Sequence, residues 1–533
     1  MAGGLSQSDC AIILPAHFRS SFMPHLPQHF PVGQRIPGSQ HSVVVSLPSM
    51  RSVIGYEERD AETMKEIRTG YPRFVIHPII REAAAIAAVR LGIADGRAVF
   101  PLCSANAAAA AKNFSAAADA GIGEIDGWFL LHIADAETEA CARAGKYLQH
   151  TGHALSSRQA EDWLATQGLG PVPAAEELFD GDPLAECRRA LAPWLKPVDE
   201  ADIHITRAGM AAFSAAFSAA CTLQRSRGRR LWIQLGWLYL DTTEILKKFL
   251  GPQEEFIFLP DVHDKQALEN LLASRGAELA GLVTEAPTNP LLQTADIPWL
   301  SSLIRGHGGL SIIDPSSAGL VSVDLLPWCD MLCASLTKYA GWRGCTMLGV
   351  TVVNPASPDA KKLAPLLAAA CEAPYSRDLA ALAAQIGRME EISQRAGRNA
   401  LLLAEFLRSH PKVKKVFSPF APGLSGDNYR RIARDSQLPG SLVSIELACA
   451  SDDGLVPAVT SFYDSLPCAK GPSFGNDFTL VCPFIYLAHY DLVINAAGRQ
   501  HLRQRGLDPE LMRISVGTED IVQIRAAFNA ALG

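Results

Sequence analysis

The chain of 533 residues is long enough for two or three domains, each with its own core. Its 48 basic and 55 acidic residues leave a formal charge of −7, which gives no electrostatic reason to expect nucleic acid or an anionic membrane as a partner. No charged-then-apolar leader opens the sequence and no apolar run approaches membrane-spanning length, so the expectation is a soluble, cytoplasmic protein.

Residues 1–60 are rich in Pro, His and Ser, as in HFPVGQRIPGSQHS, and read as an extended arm. Residues 81–200 carry Ala-rich amphipathic patterns such as SRQAEDWLATQ and DPLAECRRALAPWL, which predict a mainly helical inserted block. From about residue 203 the pattern changes. The β-rich runs RRLWIQLG, EEFIFLPD, LAGLVTEAP, GLSIIDPSS and DMLCASLTK alternate with the helical stretches TTEILKKFL, DKQALENLLAS and DIPWLSSLIRGH. Such alternation predicts a mostly parallel sheet covered on both faces. Beyond residue 370 a long helical pattern leads into strands such as SLVSIELACA mixed with helices, a separate α+β domain. The expected division is therefore an arm over 1–80, the inserted block over 81–200, a large α/β domain over 201–365 and a smaller domain over 366–533. Twelve cysteines lie mostly in apolar runs and read as reduced core residues; Cys329 and Cys333 have the wrong spacing for zinc.

Ligands on open parallel sheets gather beyond the carboxyl ends of the strands, and four polar groups fall there. Asn289 follows LAGLV, Asp314 follows LSII, and Ser335, Thr337 and Lys338 end the run after MLCA. Ala208-Gly209-Met210 open a helix whose free N–H groups and dipole favour a phosphate. Each has a plain structural role open to it: Asn289 and Asp314 precede prolines and suit turns, Gly209 suits close packing, and Lys338 suits a solvated loop. Taken together, an anion cradle, a carboxylate, an amide and a lysine suit pyridoxal 5'-phosphate. The lysine forms a Schiff base with the aldehyde, and the carboxylate keeps the pyridine nitrogen protonated so that the ring accepts electrons. Ser335 and Thr337 become phosphate ligands, and Lys338, once displaced by a substrate amine, is placed to move the Cα proton.

With these residues in hand the chain resembles the Cys/Met-metabolism family of pyridoxal phosphate enzymes. The family's S-x-T-K-Y is matched by SLTKY (335–339), its E-x-P-S-N-P by EAPTNP (285–290) and its V-D-N by IIDP (312–315). RAGMAA (207–212) is similar to its S-G-M-A phosphate loop, and LYLDT (238–242) to L-Y-G-G-T, which implies that Tyr239 stacks on the cofactor ring. GYPRF is similar to the Y-x-R that reaches a neighbouring subunit's phosphate, implying that role for Tyr71 and Arg73. LMRISVGTED resembles L-R-I-S-V-G-L-E-D, whose arginine holds the substrate carboxylate; that residue is Arg513. Stretches such as IPGSQHSVVVSLPSM and KGPSFGNDFTLVCPFIYLAHY are similar to the cystathionine γ-synthases of fungi, and Ser473, in the second, is expected to bind substrate together with Arg513.

The resemblance implies fold type I of the pyridoxal phosphate-dependent transferases, similar to aspartate aminotransferase, in a homodimer or homotetramer with shared active sites. It implies an enzyme of trans-sulfuration and methionine biosynthesis that replaces the acyl group of an O-acylhomoserine by cysteine to give L-cystathionine. Lys338 would move the protons and Tyr239 would assist at the γ-carbon. Acylhomoserine sulfhydrylases and the cystathionine or methionine γ-lyases share these motifs and remain alternatives. A pyridoxal phosphate-binding paralogue without turnover is the alternative of a different class. The chain departs from the pattern after the lysine, where K-Y-A-G-W-R-G-C replaces K-Y-x-x-G-H-x-D; Trp342 and Arg343 are expected to change the loop near the lysine. Ala208 replaces the usual serine of the phosphate loop.

Overall fold

A computed structural model describes residue 26 and residues 29–67, 76–170, 173, 175–448 and 457–533. Its centre is a seven-stranded sheet in the order His204–Thr206, Gly349–Val353, Met331–Ser335, Leu310–Asp314, Leu279–Glu285, Leu231–Leu235, Glu255–Leu259. Gly349–Val353 runs antiparallel to both of its neighbours, and the remaining pairs are parallel. The five apolar runs anticipated as strands all lie in this sheet. Their continuous apolar character follows from burial on both faces. Successive side chains point to opposite faces of a strand. Thus Ile233 and Leu235 enter one core layer and Trp232 the other; Ile313 and Ile312 divide in the same way. Helix Gly209–Arg225 covers the second face, and helices Lys265–Arg275 and Ile297–Gly306 lie over the first.

A second sheet has the order Val413–Phe417, Leu442–Leu447, Met512–Ser515, Leu480–Pro483, Ala469–Lys470, antiparallel except for its last pair. Onto its core dock Val45, Leu47, Met50, Val53 and Tyr56. The described part of the N-terminal stretch is therefore not an extended arm. It forms a short ladder of Arg35–Ile36 with Val44–Val45, then helix Met50–Glu57, opened by a capping box at Ser49. The Tyr463 hydroxyl donates to the Leu47 carbonyl at 2.7 Å, and Lys470 Nζ to that of Pro48 at 3.0 Å. Its Pro-rich composition masks a short apolar run, VVVSLPSM, long enough to pack but too short to show a period.

The inserted block also differs from expectation. Besides helices Pro78–Arg90, Ala105–Ser115, Thr138–Thr151, Ser157–Thr166 and Pro183–Leu191, it holds an antiparallel sheet in the order Arg97–Leu102, Trp128–Ala134, Ala120–Ile125. The last two strands meet at Asp126-Gly127, both at positive φ, a turn whose twist suits a hairpin. Buried Arg158 fastens the block to the rest of the chain. Its guanidinium bonds to Glu176 and, at 3.0 Å, to Asp378. Arg377 reaches back to Glu161, Asp162 and Glu176.

Candidate active site

Strands Leu279–Glu285, Leu310–Asp314 and Met331–Ser335 end side by side, and a cavity opens beyond them. Register places Glu285 opposite Asp314. Burial pushes the Asp314 carboxyl up to about 6, and burial with the nearby Asp314 charge holds Glu285 well above the usual carboxylate range. Asp314 Oδ1 accepts from the Ser316 N–H at 2.7 Å, and Glu285 Oε1 from the Tyr239 N–H at 2.6 Å. A buried carboxyl beside a half-buried one that faces the open space favours a cationic N–H partner there.

At the other edge of the cavity begins helix Gly209–Arg225. Its N-cap is Ala208, so no side chain satisfies the first-turn N–H groups. The helix start lies so close to the next strand that a Cβ on Gly209 would stand 2.6 Å from Ser335 Cβ, which glycine alone avoids. The Ser335 hydroxyl is buried there without a hydrogen-bond partner. Open amides beside an unsatisfied hydroxyl make a site for an anion.

Lys338 is buried, and its Nζ donates to the Ser473 hydroxyl at 2.9 Å and lies 4.9 Å from the Phe474 ring. Facing it, the Arg513 guanidinium sits between the rings of Phe474 and Phe484, at 5.2 and 4.8 Å. One of its nitrogens donates to Asn289 Oδ1 at 3.2 Å and another to the Ser473 carbonyl at 3.0 Å. A guanidinium held by neutral acceptors keeps its charge for a carboxylate. Glu519, close to Arg513 in sequence, is occupied elsewhere, by the backbone N–H and hydroxyl of Thr479.

The cavity thus brings together Gly209, Met210, Tyr239, Asn289, Asp314, Ser335, Lys338, Ser473 and Arg513. Asn289, expected at the cofactor, lines the cavity and also holds Arg513. Thr337 does not reach the cavity: it is fully buried, with its hydroxyl directed at the Leu348 carbonyl at 3.4 Å, because the chain turns inward between Ser335 and Lys338. Tyr71 and Arg73 lie outside the described residues. Trp342 and Arg343 do not line the cavity. The Trp342 indole donates to the Gln385 carbonyl, and Arg343 pairs with Glu177 of the inserted block. Glu285 was missed as a site residue although it ends a strand in EAPTNP, where it pairs in register with Asp314. Phe474 and Phe484 carried no sequence signal beyond their apolar surroundings.

These residues fit pyridoxal phosphate: an anion cradle at Gly209, Met210 and Ser335, raised carboxyls for a protonated ring nitrogen, and a buried lysine between them. The family model described as Cys/Met metabolism PLP-dependent enzyme matches residues 194–533. The chain is 39% identical over 498 residues to an L-2-amino-4-chloropent-4-enoate dechlorinase/desaturase of Streptantibioticus cattleyicolor, covering 93% of this chain and 97% of that protein. It is 26% identical to a cystathionine γ-synthase of Neurospora crassa, over 94% of this chain and 98% of the other. Among solved structures, a cystathionine γ-synthase from Xanthomonas oryzae pv. oryzae in complex with aminoacrylate and cysteine superposes with a TM-score of 0.54 at 20% identity, over 68% of this chain and 92% of that one.

Proposed function

The chain belongs to the Cys/Met metabolism PLP-dependent enzyme family, and from that premise we propose that it eliminates from the γ-carbon of an α-amino acid a small substituent that carries no charge while bound and leaves as an anion. A leaving group on the γ-carbon is common to O-acylhomoserines and to 2-amino-4-chloropent-4-enoate, whose chlorine is on C4. One observation carries the choice. Among the described residues lining the cavity, none besides Lys338 and Arg513 offers a cation to a second carboxylate, and Pro472, Phe474, Cys482, Phe484, Leu487 and Ala488 give it an apolar wall. A distal succinyl group, or the carboxylate of an incoming cysteine, would be buried there without a counter-charge. An acetyl group or a halide would not.

When bound, pyridoxal phosphate supplies an electron sink that acidifies the substrate's Cα–H and then Cβ–H bonds. The chain's own residues would do the rest. Gly209, Met210 and Ser335 hold the phosphate, and Asp314 with Glu285 retains the ring-nitrogen proton. The Arg513 fork grips the substrate carboxylate and fixes its orientation. Lys338, steadied by Ser473, would take the proton from Cα, hand it on, and, neutral again, take a second from Cβ. The leaving group departs along the apolar wall, where little water competes. Tyr71 and Arg73 complete the neighbour's phosphate site in this reading, so a mixture of Lys338→Ala and Arg73→Ala protomers should recover activity that neither has alone.

A second reading is γ-replacement of an O-acylhomoserine by cysteine to give cystathionine, favoured by the match along 94% of this chain to the Neurospora protein. The two are separated by supplying 2-amino-4-chloropent-4-enoate, O-acetylhomoserine and O-succinylhomoserine, each with and without cysteine, and measuring chloride, acetate or succinate release together with the organic product. Release from the first two without cysteine, with the succinyl ester at least about tenfold slower, supports elimination. Cystathionine formed fastest from the succinyl ester would overturn it, and no release from any substrate would favour the paralogue without turnover.

A further inference from the structure

We propose that the inserted block positions Tyr239 in the active site: Gln149 and His150, at the end of helix Thr138–Thr151, hold Asp241 and so fix the turn that presents Tyr239 to the cavity. Tyr239 is the N-cap of helix Leu240–Lys248, and Asp241 is the second residue of that helix. Asp241 is fully buried. Its Oδ1 accepts from Gln149 Nε2 at 3.0 Å and lies 2.9 Å from His150 Nδ1. An ionised carboxylate can only accept, so His150 donates from Nδ1 and presents Nε2 as an acceptor. Lys248 Nζ, on the last residue of the same helix, is 3.3 Å from that nitrogen. One imidazole therefore ties both ends of the Tyr239 helix to the inserted block.

Apolar contact reinforces the grip. Phe249, just beyond the helix, stacks on Phe114 of the block with ring centroids 4.5 Å apart. The Tyr239 N–H is pinned from the other side by Glu285 at 2.6 Å. Tyr239 thus stands between a carboxyl of the cavity and a helix that the block holds. Asp241 also marks a departure in sequence, since the motif L-Y-G-G-T has glycine where LYLDT has aspartate. A buried carboxylate here needs donors, and the block supplies two of them.

The proposal rests on Tyr239 facing the bound pyridoxal ring, and not on which substrate is turned over. It is tested on holoenzyme carrying His150→Leu, Asp241→Asn or Gln149→Leu, with Ser104→Ala as a control at a different contact, the 2.7 Å bond from Ser104 to Glu372. The readouts are the visible circular dichroism of the bound cofactor, cofactor affinity, kcat, KM and melting temperature. His150→Leu and Asp241→Asn should each change the dichroic band and lower kcat about tenfold with little change in KM, as expected for a displaced positioning group. Together they should do no more than the stronger alone, and neither should add to Tyr239→Ala. Gln149→Leu, which removes one neutral donor, should show the same pattern more weakly and serves if the other variants do not fold. Ser104→Ala should lower the melting temperature and leave the band and kcat unchanged. An unchanged band and kcat in the Asp241, His150 and Gln149 variants would overturn the proposal, as would losses that add to Tyr239→Ala. Because the dichroic band reads cofactor geometry without turnover, it stands even if elimination at the γ-carbon is disproved.

Discussion

The large sheet and the inserted block use their strands differently. Leu231–Leu235 and Leu279–Glu285 are buried along their whole length, whereas Ala120–Ile125 alternates between half-buried and exposed positions. A strand covered on both faces delivers its last residue into a dry environment, and there Glu285, Asp314 and Ser335 become reactive or unsatisfied groups. The block's strands have one wet face, and two of its buried polar groups serve attachment: Arg158 on Glu176 and Asp378, and His150 on Asp241. Chemistry is concentrated where the backbone is driest, and the block acts on it only through the contacts that hold it.

This contrast predicts a graded set of outcomes. Lys338→Ala, at the dry strand ends, should reduce leaving-group release by at least about 10³-fold, since it removes both the covalent anchor and the base. Borohydride should no longer fix the cofactor to the chain, as mass spectrometry would show; residual attachment at normal yield would remove Lys338 from its role. Asp314→Asn should cost about 10²-fold in kcat while cofactor content stays near that of the unsubstituted protein. Arg513→Lys keeps the charge and loses the fork, so KM should rise at least about tenfold with the cofactor retained.

Arg158→Met tests the other side of the comparison. It leaves the Glu176 and Asp378 carboxylates without their shared cation and should cost about 3 kcal/mol, read as a lower melting temperature and faster proteolysis of the inserted block. A loss of kcat without loss of stability would show that Arg158 serves the chemistry and not only the attachment of the block. The smallest effect concerns pH. Glu285 and Asp314 both titrate above their unfolded values, so their contribution to stability is fully present below those values. It is lost as pH rises, for Asp314 through about 6. In apoprotein, Glu285→Gln should therefore raise the melting temperature by about 2 °C near neutral pH, with the gain fading as pH falls toward 4.

How much of this was legible depended on the period of the pattern. The five apolar runs of the large sheet stood out because double burial leaves no polar residue to interrupt them. The block's strands did not. AGIGEI offers two glycines and one charge to a half-buried surface, and its best signal, Asp126-Gly127 between Ile125 and Trp128, is a turn dipeptide easily lost among helical patterns. At the site, Lys338, Asp314 and Gly209 were legible because each closes an apolar run or opens a helix. Thr337 was misplaced because spacing does not say which side of a turn a hydroxyl faces. The partners of Trp342 and Arg343, Gln385 and Glu177, were not legible because they are remote in sequence.

The sequence by itself determined the parallel sheet, the strand ends where a ligand gathers, and the lysine, carboxylate and helix start that suit pyridoxal phosphate. These follow from local periodicity and from residue chemistry, which a linear chain carries intact. Only the tertiary structure decided that Glu285 stands beside Asp314, that Asn289 serves Arg513, and that two phenylalanines enclose the guanidinium. It alone decided that the N-terminal stretch docks on the second sheet and that His150 meets Asp241 across 91 positions. Such pairings depend on which surfaces close over one another, and burial then sets the charge and direction of each group that they enclose.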